Sequence, residues 1–220
     1  IQPERNIWKF LFQVFFFPKV GIGPIMRYQQ TSEQLDNFRV DIRQGVLRFM
    51  IGLAKKVILA NPLGIIADGI FSLSAATTPA PLAWIGVICY ALQIYYDFSG
   101  YTDMVVGLGR FFNFNIPENF NYPYLATSIT DFWRRWHITL SNWFRDYVFA
   151  PLEFSRRRSP RKWLQYINIL IVFSLTGLWH GFGWTFLSWG LLHGVSICFE
   201  TIFKDQYAKL WQPLKRIYTL

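Results

Sequence analysis

The chain has 220 residues, enough for one ordinary soluble domain or for a bundle of several membrane helices. Hydrophobic residues make up 52% and charged residues only 16%, against about 25% charged in soluble domains, and aromatics reach 20%, rings that favour the two faces of a bilayer. The net charge of +9 would suit nucleic acid in a soluble protein, but here the bases sit between long uncharged runs, as in loops held beside a membrane.

In chain order, the first apolar run, Phe10 to Pro18, is short and has no small-residue cleavage site after it, so a secretory leader is not expected. The opening residue is Ile1, and the chain is expected to be a portion of a longer protein. Ile42 to Leu59 carries Arg43, Arg48, Lys55 and Lys56 among apolar residues and reads as an amphipathic helix lying in the interface or dipping into a cavity. From Gly69 to Tyr96 there is no Asp, Glu, Lys or Arg. Pro79 and Pro81 divide that run, and Leu82 to Tyr96 reads as the start of a spanning helix. At its end it meets Asp97, Ser99, Gly100, Tyr101, Thr102 and Asp103. These are either an interfacial loop or carboxylates facing a cavity or partner, as carboxylates entering a membrane usually do.

Glu118 to Pro123 reads as an irregular loop. Thr127 to Tyr147 is too polar to span. Trp133, Trp136, Leu140, Trp143 and Tyr147 recur there at helical spacing, with Thr130, Arg134, His137, Ser141 and Arg145 on a neighbouring face, so one amphipathic helix is expected. The basic cluster Arg156, Arg157, Arg158, Arg161 and Lys162 fits a loop touching anionic headgroups. Trp163 to Phe199 then runs without a formal charge. As one helix it would reach roughly 55 Å, beyond a ~30 Å hydrocarbon core. It must break, and Gly181-Phe182-Gly183 is the natural hinge. His180 stands immediately before it. No long repeat or linker is seen, so residues 1–220 read as a single membrane-embedded domain.

The three histidines, His137, His180 and His193, are the side chains able to accept and return a proton near neutrality. Each could instead be a buried ring bonded to a backbone carbonyl, the plainer reading for His193. Metal ligation lacks support: there is no His-Glu-x-x-His and no cysteine pair at zinc spacing, and Cys89 and Cys198 both lie in apolar runs. Gly107-Leu-Gly109 lacks the third glycine of a dinucleotide loop. Asp97-Phe-Ser99-Gly100 lacks the first glycine of a nucleophile elbow. His137 is followed five residues on by Asn142 rather than Asp, so the pattern of soluble-facing acyltransferases is absent.

Four strings carry a family likeness: Tyr95 to Asp103, Pro117 to Tyr124, Asp131 to Ser141 and Thr176 to Gly181. With an earlier element at Phe16-Phe-Pro-Lys to Gly23-Pro24, they resemble the bacterial membrane-bound O-acyltransferase family, in its polysaccharide O-acetylation branch. Pro151 to Arg156 departs from the glycine-rich turn of the alginate members. The resemblance implies an all-α membrane protein: multi-pass helices with re-entrant and interfacial amphipathic helices around a central tunnel, in the bacterial inner membrane. It implies His180 as catalytic histidine and His137 as the second active-site histidine. Trp179, Asn142, Arg134 and Asp97 are then candidate substrate-contacting residues. The activity implied is acyl transfer from a cytoplasmic thioester, acetyl-coenzyme A or an acyl carrier protein, towards hydroxyls of a polysaccharide. An extracytoplasmic acetyltransferase partner would assist, with no tightly bound cofactor, no metal and no nucleic acid. A multi-pass transporter or channel shares the broken helices and intramembrane polar groups, and a structural scaffold would tolerate loss of both histidines. Release of free coenzyme A separates the enzyme from both.

Overall fold

The computed structural model describes residues 6–16, 23–35, 40–156, 161 and 163–219. Their regular structure is helical, with no strand among them. Arg157, Arg158 and Lys162 of the basic cluster, and Phe17-Pro18-Lys19, lie outside the described residues. The chain divides into two compact units, Ile1–Glu118 and Asn119–Leu220.

In the first unit, α1 (Ile7–Phe15) and α2 (Tyr28–Leu35) precede α3 (Ile42–Ala54), whose first turn is capped by Asp41 accepting from the Gln44 amide at 3.0 Å. A π-helical turn, Lys55–Ala60, carries α3 into α4 (Asn61–Phe71). Together they make a helix of 30 residues, whose apolar window has mean hydropathy 1.6 with 11% of it buried. At ~1.5 Å per residue this is about 45 Å, enough to cross a ~30 Å core. It is the one such helix among the described residues. The stretch from Ile42, expected in the interface or dipping into a cavity, therefore belongs to a helix of spanning length.

The reason lies in α5 (Ala80–Phe111), which returns antiparallel to it. Arg48 and Lys55 reach Asp103 at 2.8 and 2.6 Å, and Lys56 pairs with Asp97. The bases thus meet carboxylates instead of forming a solvated face, and Arg48 also pairs with Glu118. For the same reason the apolar helix does not stop at Tyr96: Asp97 to Asp103 lie within α5, not in a loop at its end. The two helices touch backbone to backbone. A Cβ on Gly107 would fall 2.6 Å from the Gly45 carbonyl oxygen, and one on Gly100 2.7 Å from that of Gly52. Beyond α5, Asn113 turns the chain at φ 67°. Phe114 then stacks with Phe16 and Phe12, at centroid distances of 4.5 and 5.4 Å.

The second unit opens with a 3₁₀ turn, Pro123–Leu125, and two short helices, α6 (Ile129–Arg135) and α7 (Ile138–Phe144). A π-helical turn, Arg145–Phe149, leads to α8 (Ala150–Arg156). Then come α9 (Trp163–His180), α10 (Trp184–Ile202), α11 (Lys204–Ala208) and α12 (Gln212–Thr219). The uncharged run breaks between His180 and Trp184, at Gly181-Phe182-Gly183. Away from the hinge α9 and α10 lie in contact, because a Cβ on Gly177 would strike the Phe186 carbonyl and one on Gly190 the Phe173 carbonyl.

The single amphipathic helix expected over Thr127 to Tyr147 is replaced by α6 and α7, with His137 between them at φ 43°, ψ 52°. The cause is local. Asn119 takes the amide of Ile138 on its carbonyl oxygen (2.9 Å) and that of Thr139 on its side chain (3.1 Å), so these donors do not continue α6. The aromatic stripe is accordingly split: Trp133 and Leu140 are buried, while Trp143 and Tyr147 are exposed.

Candidate functional site

The second unit gathers all three histidines into one chain of aromatic contacts. His180 ends α9, so its ring stands at the hinge, exposed. The close approach of α9 and α10 sets it 5.1 Å, centroid to centroid and edge-on, from Trp189 of α10. His193, one turn further along α10, lies 5.0 Å from Trp189. Trp133 of α6 closes the group, 5.3 Å from His193 and 5.9 Å from Trp189. Trp179, next to His180 in sequence, lies 4.7 Å from it and 6.4 Å from His137. Such edge-to-face pairs are each worth about 0.5–1.5 kcal/mol beyond burial.

Glu200, near the end of α10, positions α6. Its buried carboxylate accepts the amides of Ile129 (2.5 Å) and Thr130 (3.0 Å) and the Thr130 hydroxyl (2.6 Å). It acts as an N-terminal cap supplied from another helix, where a carboxylate is favoured by the helix dipole. Ser128 caps the same helix locally, accepting the Asp131 amide at 2.9 Å.

His137 is 6% exposed and lies in segments too short to span a bilayer. Burial, with the charge of nearby His180 adding to it, pulls its pKa down to about 4. Its Nδ1 is 3.2 Å from Asn119 Oδ1.

Beside this group is a cavity of about 670 Å³. Its polar lining is Thr130, Arg134, Ser141, Asn142, Arg145 and Thr176, with Ile169 and Val172 among its apolar walls. Trp133 belongs to both cavity and histidine cluster, and its buried indole N–H meets no acceptor among the described residues. The structure thus brings His137, Trp179 and His180 together, while Arg134 and Asn142 line the cavity that has Trp133 in its wall. Asp97 is in the first unit, paired with Lys56. His193, read from sequence as ordinary packing, and Trp133, Trp189, Asn119 and Glu200 complete the arrangement. Among the described residues no three His, Cys, Asp or Glu side chains form a metal-ligating group.

A buried histidine and an exposed one, each in contact with Trp179 at a helical hinge, are groups able to accept and return a proton. Residues 5–219 match the membrane-bound O-acyltransferase family model, and the chain belongs to that family. It is 41% identical, over 97% of its length, to the "Probable alginate O-acetylase AlgI" of Azotobacter vinelandii, and 43% identical over 93% to the peptidoglycan O-acetyltransferase of Helicobacter pylori. It is 31% identical over its whole length to the teichoic acid D-alanyltransferase of Bacillus subtilis. The chain spans 43%, 39% and 58% of those three relatives.

Proposed function

We propose that the protein is a membrane-bound O-acyltransferase that moves an acyl group, acetyl in the first instance, from a cytoplasmic thioester towards hydroxyls of an extracytoplasmic polysaccharide. The observation that carries this reading is His180 at the hinge, edge-on to Trp179 and to Trp189, which in turn touches Trp133 of the cavity wall. The names of the relatives support it, since each is an acyl-transferring protein. The setting is a multi-pass protein of the bacterial inner membrane, whose re-entrant helices surround a tunnel open to both substrates. Acetyl-coenzyme A or an acyl carrier protein is the donor, and an extracytoplasmic acetyltransferase is the partner.

The hydroxyl oxygen attacks the thioester carbonyl carbon, and its proton passes to the His180 imidazole as the C–O bond forms. The tetrahedral oxyanion collapses, the C–S bond breaks, and the thiolate leaves with the proton that His180 returns. A thioester and an alcohol become an ester and a thiol, and no group is consumed. Arg134 and Arg145 stand where an anionic donor would be held, and the Trp133 indole N–H and Asn142 can donate to its carbonyl or amide oxygens.

The test is His180→Ala in the full-length protein, reconstituted in proteoliposomes. Acyl transfer, followed as free thiol released and ester formed, should fall about 10²–10⁴-fold while expression in the membrane is kept. Transfer close to the unaltered rate removes His180 from the chemistry.

A further inference from the structure

Asn119 is 1% exposed, and its side-chain oxygen is the meeting point of three groups: the Thr139 amide (3.1 Å), the Thr139 hydroxyl (3.0 Å) and His137 Nδ1 (3.2 Å). A backbone N–H can only donate, so the carboxamide atom facing Thr139 must be the oxygen. Rotating the amide would set Nδ2 against that N–H, donor against donor. The orientation of Asn119 therefore settles the proton on His137: an acceptor oxygen at 3.2 Å requires Nδ1 to carry hydrogen. In a neutral ring the other nitrogen, Nε2, then bears the lone pair. The arrangement is held at some cost, because His137 sits in the left-handed region and Asn119 Nδ2 is buried without a hydrogen-bond partner among the described residues.

We infer that Asn119 is a positioning residue that locks His137 in the neutral, Nδ1-protonated tautomer, so that His137 works as a hydrogen-bond acceptor through Nε2 and not as an oxyanion donor. The inference rests on the acyltransferase reading and divides the labour within it. A lone-pair nitrogen accepts, so His137 holds a substrate N–H or O–H other than that of the attacking hydroxyl, whose proton goes to His180, while oxyanion stabilisation falls to donors such as Trp133 Nε1. The neutrality of the partner matters. A carboxylate there would hold a proton on the ring, whereas a carboxamide does not. Asn119 from the preceding loop is neutral, as is Thr139 of α7 on the same oxygen, and His180 on α9 opposes a second positive charge.

The experiment uses full-length protein with nitrogen-15-labelled histidine in detergent, the His137 signals being assigned by their loss in His137→Gln. From about pH 5 to about pH 8, Nδ1 should show the shift of a protonated nitrogen and Nε2 that of an unprotonated one. Asn119→Asp, which keeps the shape, should protonate both nitrogens near neutrality. It should also move the acid limb of kcat/KM for acyl transfer upward by about 1–3 pH units with the donor KM unchanged. A protonated Nε2 in the unaltered protein overturns the inference, as does an Asn119→Asp variant whose ring signals and acid limb stay in place. Full-length protein that transfers no acyl group defeats the acyltransferase reading instead, and the nitrogen shifts still report the tautomer.

Discussion

His137 and His193 occupy one aromatic group but face different physics. His137 has a folded pKa of about 4, below its ordinary 6.5. Between those values the unfolded chain binds the proton and the folded chain does not, so stability rises with pH across that window. Its contribution is complete above about 6.5, erodes as the pH falls towards 4, and then levels off. Thermal melts in detergent over that interval should show the loss, and His137→Gln should lessen the slope. His193 lies edge-on to both Trp133 and Trp189, which a phenyl ring can imitate. His193→Phe should retain acyl transfer within about tenfold of the unaltered rate, the measure of a packing role; a loss as deep as that of His180→Ala makes His193 part of the proton chemistry. The residue that sequence singled out most sharply, His180, was legible because paired glycines interrupt an uncharged run beside it. Asn119 was not, because it reaches His137 across 18 positions from a loop that no periodicity describes.

Among elements, α6 depends on a carboxylate it does not own. Glu200→Ala would strip the acceptor from two backbone amides and one hydroxyl, and each buried donor left unmet costs about 1–3 kcal/mol. A lowered melting temperature with misplaced Trp133, seen as a changed indole fluorescence, is the expected result, and Glu200→Gln should recover part of it. The α9–α10 contact is similarly strict. A side chain at Gly190 has the Phe173 carbonyl in its way, so Gly190→Val should destabilise the hairpin by about 1–3 kcal/mol and depress acyl transfer, both readable in the same preparation. The hinge of this hairpin could be read from its glycines, since they weaken a helix wherever it runs. The split of α6 from α7 could not: the helical spacing of Trp133, Trp136, Leu140 and Trp143 continues unbroken through the kink, and the competing acceptor lies in a preceding loop. Nor could the continuity of α5 through Asp97 and Asp103, since only their partners Lys55, Lys56 and Arg48 make those carboxylates tolerable inside a helix.

At the scale of the whole molecule, composition already pointed to a bilayer, and the 30-residue helix from Ile42 to Phe71 meets the length and hydropathy needed. The full-length protein in sealed vesicles should release free coenzyme A from acetyl-coenzyme A only when an acceptor glycan is supplied, with no acceptor-independent flux of solute. Flux without thioester consumption would return the transporter reading to the front.

The π-helical turn sets Lys55 and Lys56 at the midpoint of that helix, each against an aspartate of α5. Presented singly to a translocation channel, either lysine at a helix centre carries a penalty of about 2.5–3.5 kcal/mol, and the aspartates a similar one. Biogenesis of this segment is therefore expected as a two-helix event: the hairpin should leave the insertion machinery already neutralised, and a ribosome stalled before α5 emerges should strand its predecessor outside the lipid.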